Sequence, residues 1–62
     1  MYSLYIANAI CAGFNWHKAG REKVVLSDVK FVKTINEYDL SFEAKNVLYQ
    51  AWYKGFDDFK NV

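Results

Sequence analysis

Cys11 and His17 are the two side chains in this sequence with the widest chemical repertoire, a thiol and an imidazole. Within hydrogen-bond reach of each other they would make an activated nucleophile. Their spacing argues against it. On a helix, six residues turn the chain about 240° past one full revolution, so the two side chains point to different sides. As metal ligands they are equally poor. A structural zinc site wants four nitrogen or sulfur ligands, and the chain offers neither CxxC nor HxxxH. Cys11 therefore reads as a small core or interface residue. His17 reads as a residue near a helix C-terminus, where the helix dipole favours it.

Acid–base work fares no better. Only Asp57 and Asp58 are adjacent carboxylates, and neighbours on a helix point in different directions, so they form no dyad. Gly13, Gly20 and Gly55 are too far apart to cradle a phosphate. We expect no enzyme, no metal and no cofactor.

The elements that must position these residues begin with Ser41 to Gly55. Ser41 is a natural N-cap, with Glu43 in the first turn where the dipole favours an acid. Ala44, Val47, Leu48, Ala51 and Trp52 recur at helical spacing, and Gly55 is placed to end the helix. Phe42, Lys45, Tyr49, Tyr53 and Phe56 form a second, mainly aromatic stripe on the flank. Ser3 to about Lys18 also reads as a helix, with Ser3 as cap and Gly20 as stop. Its small residues Ala9, Ala12 and Gly13 would let another backbone approach closely. A strand through Tyr2, Leu4 and Ile6 is the rival.

Lys23 to Ile35 is harder. Val24, Val25, Val29, Val32, Thr34 and Ile35 are β-branched, which suits a strand. Against that, Ser27 could cap a helix with Leu26 stapled onto Phe31, and Val24, Phe31, Ile35 and Tyr38 would share a face. We expect the strand, and with it an α+β helix–strand–helix domain, 1–62, paired with a second copy across the strand edge. The alternative is an all-α three-helix bundle.

Size presses toward the same conclusion. A chain of 62 residues and 7.3 kDa has a folded area of roughly 4,200 Å² against roughly 10,600 Å² unfolded. Twelve aromatic residues, 19% of the chain, would claim about 1,800–3,000 Å² of the difference. Some rings should therefore lie at an interface. With one cysteine there is no internal disulfide to help. We expect Trp16, Tyr49, Trp52, Tyr53 and Phe56 to form a partner-binding set, since Trp and Tyr dominate binding hot spots. Trp52 is equally at home in a core.

Charge is close to balanced, at +1 overall, but unevenly placed. Residues 1–16 carry none. Lys18, Arg21, Lys23, Lys30 and Lys33 outnumber Glu22 and Asp28, giving +3 over 18–33. The acids Glu37, Asp39, Glu43, Asp57 and Asp58 outnumber Lys45, Lys54 and Lys60, giving −2 after that. Such a surface pairs head to tail or steers a charged partner. It lacks the high pI of a nucleic-acid binder. A helix-turn-helix over Val29 to Leu48, turning at Asp39-Leu40-Ser41, would lack the usual glycine and would set Glu43 against phosphates. The uncharged start lacks the positive n-region of a signal peptide and is short of a membrane span. A free cysteine then points to the cytoplasm.

In size, single free cysteine, lack of catalytic residues and surplus of Tyr and Trp, the chain resembles the small proteins that bacteriophages make to block host or defence enzymes. That resemblance covers character rather than motif, and no functional residue is carried over from it. It implies a cytoplasmic inhibitor that occludes a larger bacterial protein. The competing expectations are a regulatory nucleic-acid module using the Lys18–Lys33 basic residues, and a small subunit of a larger assembly.

Overall fold

A computed structural model describes residues 3–59; Tyr2 and Lys60, which entered the expectations above, lie outside them. The described residues form three helices: α1 (Ser3–Lys18), α2 (Val29–Glu37) and α3 (Phe42–Phe59). A single 3₁₀ turn, Val25–Ser27, precedes α2. There is no strand among the described residues, so the α+β expectation is corrected to an all-helical fold.

The correction has a local cause. Asp28 caps α2: its Oδ1 accepts from the Phe31 backbone N–H at 3.3 Å, the N3 position. Phe31, Ile35 and Tyr38 then fall on one side and pack inward. The penalty for a β-branched residue in a helix is a few tenths of a kcal/mol, and burying a side chain the size of Ile35 gains about 1.5–3 kcal/mol. Tertiary burial outweighs propensity. Ser27, the cap considered from sequence, lies one residue too early. Val24 is exposed.

α1 and α3 carry the core and run in the same direction. Ala9 clusters with Leu48 and Ala51, Gly13 faces Trp52 and Phe56, and His17 reaches Phe56 and Phe59. Two glycines set how closely they approach. A Cβ on Gly13 would strike the Trp52 carbonyl and lie 2.9 Å from the Phe56 nitrogen. A Cβ on Gly55 would strike the Ile10 carbonyl. Of the close approach expected at Ala9, Ala12 and Gly13, Gly13 makes it backbone against backbone, Ala9 is fully buried and Ala12 only partly so. Gly55, expected to end α3, sits inside it as the reciprocal contact.

The cap of α1 is a Schellman motif. Gly20 has φ +80°, its N–H donates to His17 O at 2.8 Å, and the Arg21 N–H donates to Trp16 O at 3.3 Å. α3 opens as expected, with the Ala44 N–H donating to Ser41 Oγ at 3.2 Å. Asp39, at φ 47°, takes the left-handed turn between α2 and α3.

The total accessible area is 4466 Å², near the value expected for an ordinary compact monomer of this mass. Most of the described rings meet one another. Tyr5 stacks on Tyr38 at 4.2 Å, His17 lies flat on Phe56 at 4.0 Å, and Phe14 meets Phe59 edge-on at 5.2 Å.

Candidate functional site

α2 touches the α1–α3 pair along only one side. Asp28 fixes its start: the Trp52 indole N–H donates to Asp28 Oδ2 at 3.0 Å, a buried contact joining α2 to α3. The Tyr5–Tyr38 stack ties its far end to α1. Between these ties α1 and α2 stand apart, leaving an open groove of about 700 Å³. That is within the usual range for ligand pockets, about 300–1,000 Å³.

The groove is built from short-range rules. Tyr5, Asn8, Ala12, Asn15 and Trp16 on α1, with Ala19 just past its end, line one wall at helical spacing. On α2, Lys30, Phe31, Thr34 and Tyr38 line the other, with Ile35 and Leu48 beneath. The Schellman cap aligns residue C″ with residue C3, here Arg21 with Trp16. The Arg21 guanidinium accordingly lies 4.7 Å from the Trp16 ring centroid. The Trp16 indole is fixed from its other edge, where its N–H donates to Glu22 O at 2.6 Å. The mouth of the groove thus carries a flat cation on a flat ring, worth about 0.5–1 kcal/mol at an exposed site.

Electrostatically the groove lining is net cationic: Arg21 and Lys30 stand against one carboxylate, Asp28, which also lines it. Arg21 and Lys30 are exposed, and among the described residues neither forms an ion pair; the two that occur are Lys23–Asp57 and Lys54–Asp58. The carboxylate of Asp28 is turned inward and held by Trp52 and Phe31. The exposed side of α3 mixes Glu43, Asn46, Gln50 and Lys54, with no basic stripe.

The five residues expected to contact a partner do not act together. Trp52 is 0% exposed and Phe56 8%; both are core, because they face the glycine contact with α1, and they leave the contact set. Tyr53 is half-buried, edge-on to Trp52, with Lys23 5.8 Å above its ring. Tyr49 is half-buried against Phe31. Only Trp16 lines the groove. The flank of α3 expected to be an aromatic contact face exposes one ring fully, Phe42. Sequence reasoning missed Asn8, Asn15 and Thr34 here, and offered Arg21 only within a basic set for nucleic acid. The signal was present in Gly20, whose cap geometry puts Arg21 on Trp16.

Cys11 is exposed rather than in the core. The His17 ring nitrogen Nδ1 lies 2.7 Å from the Phe56 carbonyl oxygen. That oxygen can only accept, so Nδ1–H donates, satisfying a carbonyl in the last turn of α3. The two residues are not brought together. Among the described residues no cluster of three His, Cys, Asp or Glu side chains could hold a metal ion, and no helix is long and apolar enough to cross a membrane.

No protein family, no curated protein and no solved structure matches the chain.

Proposed function

We propose that this chain is a non-enzymatic protein-binding module that occupies part of a larger protein, with the α1–α2 groove as its recognition surface. The observation that carries this reading is the make-up of the groove. Trp16, Tyr5, Tyr38 and Arg21 are of the types that concentrate in binding hot spots, and they border an open, preformed cleft. The resemblance to small phage-made inhibitors supports a bacterial host or defence protein as the partner, and inhibition by occlusion as the action. The exposed free thiol of Cys11 fits a reducing cytoplasm as the setting.

A photo-reactive amino acid at Asn15, on the groove rim, tests the reading against the same group at Gln50, on the outer side of α3. Irradiation in host cells should give discrete protein adducts from Asn15 and none from Gln50. Equal labelling at both positions, or none at either, removes the groove as a protein-binding surface.

Self-association is a second reading with its own observation. Leu26 and Val29, 67% and 73% exposed, flank a shallow apolar depression on the outer side of α2 with Val32. The strand edge that first suggested a homodimer is gone, and this patch takes its place. Sedimentation that stays monomeric at millimolar concentration removes the second reading.

A further inference from the structure

We infer that the groove takes an extended, acidic peptide segment of the partner. This inference rests on the protein-binding reading above and specifies the chemistry of the occupant. Three features select it. The first is charge: Arg21 and Lys30 sit on opposite walls without carboxylate partners among the described residues. A guanidinium lying 4.7 Å over an indole can still pair with a carboxylate in two parallel hydrogen bonds.

The second feature is polar pairing. Asn8 and Asn15 lie two turns apart on the α1 wall. Each amide offers both a donor and an acceptor, which matches the N–H and C=O of an extended backbone. A helical segment satisfies its own backbone and would leave these amides without a matching partner. The third is length. From Tyr5 to Trp16 the α1 wall spans about 16 Å at 1.5 Å per residue, room for about five extended residues at 3.3 Å each. Ala12 and Phe31 supply a small apolar floor for one side chain pointing down.

The test is a solution titration of the whole chain, uniformly ¹⁵N-labelled, with three synthetic peptides. One alternates Glu and Leu. The second has Lys for every Glu, and the third Gln for every Glu. The Glu peptide should shift the Asn8 and Asn15 side-chain amides and the backbone amides of residues 30–34, saturably, and more weakly as salt rises. The Lys peptide should shift nothing. The Arg21→Gln/Lys30→Gln double variant, whose changes lie on exposed side chains, should keep its helical circular dichroism and bind the Glu peptide at least about tenfold more weakly.

Equal response to the Lys and Glu peptides overturns the inference. So does an unchanged affinity in the folded double variant. Shifts confined to Leu26, Asn36 and Glu37 overturn it in favour of the outer patch. A single-stranded oligonucleotide that shifts the same groove amides more tightly overturns it in favour of a nucleic acid. Failure with the peptides while Asn15 still crosslinks a protein overturns the acidic chemistry and leaves the protein-binding reading standing; failure of both removes both.

Discussion

The Asp28 carboxylate spans two helices: one oxygen caps the backbone of α2 at Phe31, and the other accepts from the Trp52 indole, 24 residues away on α3. Asp28 and Trp52 are both buried. Losing the indole donor leaves a buried carboxylate oxygen unsatisfied, which costs about 1–3 kcal/mol. Asp28→Ala removes the cap, about 0.5–2 kcal/mol, and orphans the indole as well. Urea denaturation of Trp52→Phe, Asp28→Ala and the double variant should show the double loss smaller than the sum of the singles. Strict additivity would mean that the two groups do not interact.

Gly13 and Gly55 predict a reversal of the usual helix rule. Alanine normally stabilises a helix interior over glycine by about 0.5–1 kcal/mol. Here the added methyl meets backbone on the facing helix, which cannot swing away as a side chain can. Gly13→Ala and Gly55→Ala should each lower stability by about 3 kcal/mol or more, a large part of the roughly 3–9 kcal/mol available to a chain this size. Thermal melts followed by circular dichroism decide it. A raised Tm for either variant contradicts the close approach of α1 and α3.

Gly20 separates conformational strain from packing. A Cβ there meets no atom within 4 Å, yet φ is +80°. Gly20→Ala should cost about 1–2 kcal/mol from backbone strain alone, and Gly20→Asn clearly less. Because the cap aligns Arg21 with Trp16, the alanine variant should also change the Trp16 emission. The measurement is a melt paired with fluorescence of a Trp52→Phe background, in which Trp16 is the one indole. Unchanged emission and Tm in the alanine variant would detach the cap from the groove mouth.

Phe42, 84% exposed at the start of α3, predicts indifference. Phe42→Ser should change stability by no more than about 0.5 kcal/mol in the monomer. A larger loss that grows with protein concentration would show the ring covered by a second copy.

The limits of α1 and the start of α3 were legible because local rules fix them. Gly20 stops one helix, and Ser41 caps the other. The bundle of α1 with α3 was half legible, in the small residues Ala9 and Gly13. Its reciprocal partner was misread, since Gly55 carries the same signal as a helix stop and only the facing Ile10 backbone distinguishes the two. α2 was lost to its β-branched content: its cap is local but falls on Asp28 rather than the Ser27 considered, and the burial of Phe31 and Ile35 depends on distant helices, out of reach of any local pattern. The site suffered most. Trp52 and Phe56 were chosen for their type, and type alone does not say which face of α3 meets α1.

The shared direction of α1 and α3 also orders events in time. Antiparallel neighbours can zip up from a short turn, but here most of the surface the N-terminal helix lies against, from Leu48 to Phe59, is made last. The stretch from Ala19 to Ser41 must be laid down first as a bridge. The contacts that join α1 to α3 bridge residues 39 apart in sequence, as at His17 and Phe56, so we expect folding slower than is usual for a small helical protein. A nascent chain halted before α3 is complete should stay open to proteases along its whole length.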